Sequence, residues 1–145
     1  MASINTGKVI VGGLAAGVVL NVIDYVTNMY ILGDLLKADM DRLNPVVWAN
    51  MNDMSKMPIF LAVDFVLGIM LVWLYAAIRP RFGEGAGTAM KAGVFMWLFG
   101  MAFAGYLTEA GMFSKHYLLY SSGLNLVNFL LAAWVGGMLY KEEAA

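Results

Sequence analysis

Two aspartates stand inside segments that are otherwise apolar. Asp24 interrupts the apolar run of residues 9–33, and Asp64 interrupts the run of residues 59–78. A carboxylate at the centre of a bilayer costs about 2.5–3.5 kcal/mol on insertion scales, so such groups are rare and mark a partner or a function. The two aspartates are therefore the first candidates for chemistry in this chain.

Asparagines accompany these aspartates at helical spacing. Asn21, Asp24 and Asn28 are spaced i, i+3 and i+7, which places them on one face of a helix. Asn125 and Asn128 lie three residues apart in the last apolar run, which runs in the opposite direction. On the same face of each of these two helices, small residues follow the polar ones, a pattern typical of close helix contacts in membranes.

Depth along the helices places the polar residues at one level. With about 1.5 Å of rise per residue, Asp24 and Asp64 each lie about 8 Å from the same end of the bundle. The two asparagines of the last run fall close to that level, and Glu109 closes the third run at that end. The predicted ligand-binding residues are Asp24, Asp64, Asn21, Asn28, Asn125, Asn128 and Glu109.

This polar layer contains no lysine or arginine that could neutralise the carboxylates. Close carboxylates in a low dielectric share a proton, bind a cation or open onto water. Tyrosine rings in the same half offer cation–π surface. The sequence therefore predicts an outward-facing polar pocket that binds or transports a small cationic or protonatable solute. The tyrosines expected to line it are Tyr25, Tyr30, Tyr106, Tyr117 and Tyr120.

The same residues have two other interpretations. Asparagine–aspartate hydrogen bonds hold helices together, at about 0.6 kcal/mol each in membrane proteins. The chain would then be a non-catalytic accessory or assembly subunit of a membrane complex. A third interpretation is a Cu(I)-handling protein, since thioethers are soft ligands. Its metal ligands would be Met51, Met54 and Met57, spaced at every third position, with His116 from the neighbouring loop.

Composition excludes several other classes of chemistry. The chain has no cysteine and one histidine, which excludes thiolate metal sites, iron–sulfur clusters and bis-histidine haem. Its serines lack a recognisable nucleophile motif, so we expect neither an enzyme nor a bound cofactor. A net charge of −1 without a basic block argues against nucleic acid. The expected partners are the lipid bilayer, a small cationic solute or proton, and a second copy or another subunit of a membrane complex.

Four membrane-spanning helices are the elements that must position these residues. Hydrophobic residues make up 61% of the 145 residues and charged residues 13%, against about 45–50% and 25% in soluble domains. Each apolar run is long enough to cross a hydrocarbon core of about 30 Å. We predict an all-α, polytopic four-transmembrane-helix bundle that forms one integral membrane domain over residues 1–145. The predicted spans cover about residues 9–33, 59–78, 91–110 and 121–140.

The long loop between the first two spans has a helix signal of its own. Asn44 and Pro45 are preferred residues at the N-cap and the first helical position. We predict a short interfacial helix from Pro45 to about Lys56, with Trp48 at the level of the lipid headgroups.

Charge in the loops predicts the orientation. With four spans, both termini lie on the same side as the loop that contains Arg79, Arg81 and Lys91. The positive-inside rule assigns this short loop to the cytoplasm. The first apolar run is too long for a cleaved signal peptide. We therefore expect a multi-pass protein of the cytoplasmic (inner) membrane with both termini in the cytoplasm.

Two segments stand out, GGLAAGVVLNVIDYV (residues 12–26) and LNLVNFLLAAWVGGMLY (residues 124–140). With them the chain resembles small four-helix bacterial integral membrane proteins of unassigned function. The resemblance covers most of the chain and rests on the glycine-rich first helix and on hydropathy. It implies the four-helix architecture and nothing about activity.

Overall fold

The computed structural model describes residues 3–51 and 53–142, and it confirms the prediction of an all-α fold. Every regular element in these ranges is helical. A π-helical turn, Thr27–Ile31, follows the first helix, and a 3-10 turn, Met54–Lys56, precedes the fourth. The α-helices are α1 (Thr6–Val26), α2 (Gly33–Leu43), α3 (Pro45–Met51), α4 (Met57–Phe82), α5 (Ala86–Glu109) and α6 (Lys115–Leu139).

Four helical stretches are long and apolar enough to cross a membrane, as the hydropathy pattern predicts. They are Thr6–Ile31, Met54–Phe82, Ala86–Glu109 and Lys115–Leu139. Three of them, Met54–Phe82, Ala86–Glu109 and Lys115–Leu139, extend about four to six residues beyond a predicted bound. α6 begins at Lys115 rather than near residue 121 because the Ser114 side chain caps it by accepting a hydrogen bond from the Tyr117 amide. α4 continues past residue 78 through Pro80 to Phe82, because its last turn contains Arg79 and Arg81, which end the apolar run but not the helix.

Glycines allow α1 to pack directly against the backbones of its neighbours. A methyl group at Gly68 of α4 would lie 2.4 Å from the Gly13 carbonyl oxygen and 2.5 Å from the Gly17 amide nitrogen. A methyl group at Gly12 would lie 2.6 Å from the carbonyl oxygen of Gly136 in α6. The small-residue stripes therefore pack helices within one chain, as in other close membrane helix pairs.

The described ends of the chain, near Asn5 and Glu142, and the α4–α5 turn lie at one end of the bundle, which we call the terminal end. The Asn5 amide lies 3.3 Å from the Tyr140 hydroxyl, which joins the two terminal segments. Arg79 pairs with Glu84 in the turn, and its Nη1 lies 3.7 Å from Glu142 Oε1. This arrangement requires four passes of the chain along the bundle.

The opposite end, which we call the far end, carries more helix than we predicted. The predicted helix begins at Pro45 as expected, but it ends at Met51 rather than near Lys56. Residue 52 lies outside the described residues, and a separate 3-10 turn, Met54–Lys56, follows. Asp53 caps that turn, and hydrogen bonds from the Ser55 side chain and backbone lower the pKa of the Asp53 carboxyl. Asn44 accepts a hydrogen bond from the Val46 amide at 2.9 Å, which fits its predicted capping role.

The helix α2 has no counterpart in the prediction because five of its eleven residues are charged, which hides its apolar face. It is amphipathic: Leu36 and Met40 are buried, while Lys37 and Asp41 form an ion pair on its exposed side. Asp39 is also buried, and its carboxylate accepts a hydrogen bond of 2.7 Å from the amide of Ser114. This bond fastens α2 to the start of α6.

A substitution of Gly68 tests the close approach of α1 and α4. We expect Gly68→Ala to lower the free energy of unfolding by about 1–3 kcal/mol, because the new methyl group meets backbone atoms that cannot move aside. Gly100→Ala is the matched control, since a methyl group there meets nothing within 4 Å. Thermal unfolding in detergent measures both. Equal stability of the two variants would contradict the helix packing described here.

A substitution of Asp39 tests the attachment of α2. We expect Asp39→Ala to cost about 1–3 kcal/mol, because the part-buried Ser114 amide loses its acceptor. Asp41→Ala on the same helix removes only an exposed ion pair, which is worth about 0.5 kcal/mol. Chemical unfolding of both variants, followed by circular dichroism, gives the two costs. A loss at Asp41 as large as that at Asp39 would contradict this contact.

Candidate functional site

A part-buried hydrogen bond joins Asp24 of α1 to Asn128 of α6. The Asn128 amide nitrogen donates to Asp24 Oδ1 at 2.8 Å, and the Leu20 carbonyl oxygen lies 3.5 Å from the same nitrogen. The Asn128 side chain is 1% exposed. The glycine contacts between α1 and α6 bring the two helices close enough for this bond. The pair thus forms the centre of the candidate site.

The other atom of the Asn128 amide has no partner. Within the described residues, the buried oxygen Oδ1 accepts no hydrogen bond. A buried acceptor left unpaired costs about 1–3 kcal/mol, so its position needs a physical explanation. The Asn128 side chain therefore donates to the Asp24 carboxylate through its nitrogen, while its oxygen, a hydrogen-bond acceptor, stays unpaired.

The register between α1 and α4 fixes the place of the second aspartate. The helices run antiparallel, and each step of four residues along α1 is matched by four residues back along α4. The defining contacts are Gly13 with Ile69, Gly17 with Phe65, and Asn21 with Leu61.

This register offsets Asp64 from Asp24 along the bundle. Asp64 stands opposite Val18, so its backbone lies about 9 Å nearer the terminal end than that of Asp24. The prediction of one common level is therefore wrong. Helix side chains lean toward the N-terminus of their own helix, so the two carboxylates lean toward each other on these antiparallel helices. The half-buried Asp64 carboxylate consequently interacts electrostatically with Asp24, while it accepts no hydrogen bond from the described residues.

The remaining asparagines mainly donate to backbone carbonyl groups. Asn28 donates to the Asp24 carbonyl oxygen and Asn125 to that of Ser121, both at 2.9 Å. Asn21 donates to the Gly17 carbonyl oxygen at 2.8 Å and reaches across to the Leu61 carbonyl oxygen of α4 at 3.3 Å. These donors are already used, so the three asparagines support the helices around the Asp24–Asn128 pair.

Glu109 lies apart from this pair. Its side chain is exposed at the far end, and its Oε1 lies 3.7 Å from the ammonium nitrogen of Lys115. Of the predicted ligand-binding residues, the structure therefore groups Asp24, Asn128 and Asp64, and it gives the others supporting or surface positions.

The tyrosines do not form the predicted pocket lining. Tyr30 is 75% exposed and Tyr106 is 70% exposed, and Tyr25 and Tyr120 also face outward. A tyrosine near a helix end places its ring at the surface because the ring is apolar and the hydroxyl is polar. Tyr117 is the exception, since it is half-buried and interacts electrostatically with Asp24.

A π-helical turn next to the site was not predicted. The Leu32 amide donates to the Thr27 carbonyl oxygen at 2.7 Å, which closes the wider turn directly after α1. Such turns are frequent at functional sites because they redirect side chains without breaking the helix. We find no residue pattern in Thr27–Ile31 that distinguishes this turn from an ordinary helix.

The methionines of the copper interpretation belong to different elements. Met51 ends α3, Met54 begins the 3-10 turn and Met57 begins α4, while His116 is exposed at the start of α6. In the described ranges, no three His, Asp or Glu residues form a group that could hold a metal ion. The copper interpretation gains no support from this placement.

A cavity of about 800 Å³ lies at the terminal end, away from the aspartates. Its wall includes Arg79, whose guanidinium carbon lies 5.6 Å from the centre of the Tyr140 ring. Tyr75 and Tyr140 pack edge to face with their ring centres 5.8 Å apart. The wall also contains Lys141, Glu84 and Glu142, so its two positive and two negative charges balance. The ion pairs of Arg79 join the ends of α4 and α6.

Comparison with known proteins adds no assignment. No protein-family model matches the chain, and no curated protein or solved structure is significantly similar to it. The resemblance to small four-helix bacterial membrane proteins therefore stays a prediction, and any function must be argued from the residues themselves.

Proposed function

We propose that this chain is a multi-pass membrane protein that binds or transports a small cationic or protonatable solute at Asp24. The observation that carries the proposal is the Asp24–Asn128 pair: a carboxylate held between apolar helices by a neutral amide. Within the described residues, neither lysine nor arginine pairs with this carboxylate. A carboxylate in such surroundings attracts a cation or a proton.

Membrane insertion is supported by the distribution of apolar side chains. Large apolar residues cover the outside of the bundle, among them Phe99 and Phe103 on α5 and Val18 and Val22 on α1. In water these faces would be an aggregation hazard, whereas lipid tails cover them at no cost. The positive charges of the α4–α5 turn favour a cytoplasmic terminal end in the inner membrane.

The offset between the aspartates favours movement of the solute over static binding. Asp64 lies about one and a half helical turns nearer the terminal end than Asp24, and the carboxylates lean toward each other. A cation or proton that leaves Asp24 therefore finds a second carboxylate along the bundle axis. This two-step arrangement provides a route from the far half of the bundle toward the terminal half.

An accessory or assembly subunit is the second candidate function. It is favoured by the asparagines that link or brace helices, above all Asn21, which bonds the Leu61 carbonyl oxygen across the α1–α4 contact. In that case Asp24 is also a structural residue. The two candidates differ in what the Asp24 charge does, which a substitution can test.

We expect Asp24→Asn to keep the fold and to lose cation binding. The new amide oxygen can accept the bond from Asn128, so thermal stability in detergent should remain within about 1 kcal/mol of wild type. At about pH 8 the wild type should bind at least one of Na⁺ and methylammonium, whereas the variant, which lacks the carboxylate, should bind neither. Isothermal titration calorimetry measures cation binding by the wild type and the variant, and thermal unfolding in detergent measures their stability.

Asp34→Asn is the control for this substitution, because Asp34 is exposed in the first turn of α2. It should bind cations as the wild type does. Identical binding curves for wild type and Asp24→Asn would overturn the proposed solute site. A large loss of stability without any cation response in the wild type would support the structural role instead.

A further inference from the structure

We infer that Asp24 and the Asn128 amide oxygen form a binding site for a small monovalent metal cation of the alkali class, with Na⁺ as the representative ion. This inference rests on the proposed function and narrows its solute to one chemical class. It starts from the Asn128 side chain, which is buried against Asp24 yet leaves its oxygen without a partner.

The covalent geometry of the amide places both oxygens within reach of one ion. The nitrogen and oxygen of an amide lie about 2.3 Å apart, and the Asn128 nitrogen lies 2.8 Å from Asp24 Oδ1. Asn128 Oδ1 therefore lies within about 5 Å of that carboxylate oxygen. A hard cation with oxygen bonds of about 2.3–2.6 Å can bridge two oxygens at such a separation.

The ligand atoms select a metal cation over an organic one. Carboxylate and amide oxygens are hard donors, which suit alkali and alkaline-earth ions. An organic cation needs an open cavity with aromatic walls, but Asn128 is 1% exposed and most of the far-half tyrosines face outward. An amide oxygen also does not gain a proton at physiological pH, so it contributes as an ion ligand rather than as a proton carrier.

The negative charge of the Asp24 carboxylate matches the single positive charge of a monovalent cation. Asp24 supplies the single carboxylate in contact with Asn128. From the neighbouring elements, Asp64 of α4 and Tyr117 of α6 interact electrostatically with Asp24, and Asp39 of α2 acts on Tyr117. Asp64 is half-buried and offset along the axis, so it serves as the next carboxylate on the route rather than as the second charge of a divalent site.

Two asparagines of α6 allow a matched test. Asn128 contacts Asp24, whereas Asn125, one turn earlier, bonds a carbonyl oxygen of its own helix. Purified protein in detergent at about pH 8 is titrated with NaCl against choline chloride at constant ionic strength, and thermal unfolding and ²²Na⁺ binding are measured. Wild type should show saturable Na⁺ binding. Asn128→Ala should weaken it at least about tenfold, and Asn125→Ala should leave it unchanged.

Ion competition on the wild type keeps the test decisive if Asn128→Ala does not fold. Unlabelled Na⁺ or Li⁺ should displace ²²Na⁺, while choline and methylammonium should not. Stronger displacement by Mg²⁺ than by Na⁺, or equal losses in both asparagine variants, would overturn the inference. Binding of methylammonium or protons without Na⁺ would overturn the inference alone and leave the proposed function standing. No response to any of these cations would overturn both.

Discussion

The backbone contact of α1 with α4 and α6 is the constraint on which the rest of the structure depends. Gly13 and Gly17 carry no side chain, so the backbone of α4 at Ile69 and Phe65 approaches α1 closely, and Gly68 has the same role on α4. Contacts between backbones are far less adjustable than contacts between long side chains, so they fix the register. That register decides which polar groups meet. Asp24 reaches Asn128, and Asp64 comes to stand opposite Val18.

The consequence is a polar centre inside an apolar bundle. An isolated carboxylate at this depth would be costly, but Asn128 supplies a donor and the surrounding asparagines satisfy nearby carbonyl groups. The same arrangement leaves a charge without a counter-ion and an amide oxygen without a donor. A purely structural network would gain stability by satisfying both groups. The uncompensated Asp24 carboxylate and the unpaired Asn128 oxygen lie side by side, and this is the physical argument for a bound cation.

The length of the apolar runs was enough to predict the four long helices. Helical periodicity was enough to predict the glycine contacts and the alignment of Asp24 with the asparagines. Neither signal was enough to predict how far along the bundle axis Asp24 and Asp64 lie, because the ends of the apolar runs differ from the ends of the helices. α6 begins with the polar Lys115 and His116, and α4 continues through Arg79 and Pro80. The amphipathic α2 and the π-helical turn were missed, since charged residues interrupt the apolar face of α2 and the turn has no distinguishing pattern. The orientation of the tyrosines depends on how the helices are rotated, which sequence alone does not fix.

A double-mutant cycle on Na⁺ affinity tests the central claim that Asp24 and Asn128 act as one site. The dissociation constant would be measured for wild type, Asp24→Asn, Asn128→Ala and the double variant in one detergent and at one pH. Two ligands of one ion are coupled, so the double variant should bind no more weakly than the weaker single variant. Losses that simply add in free energy would show that the two residues act independently, which would contradict the account.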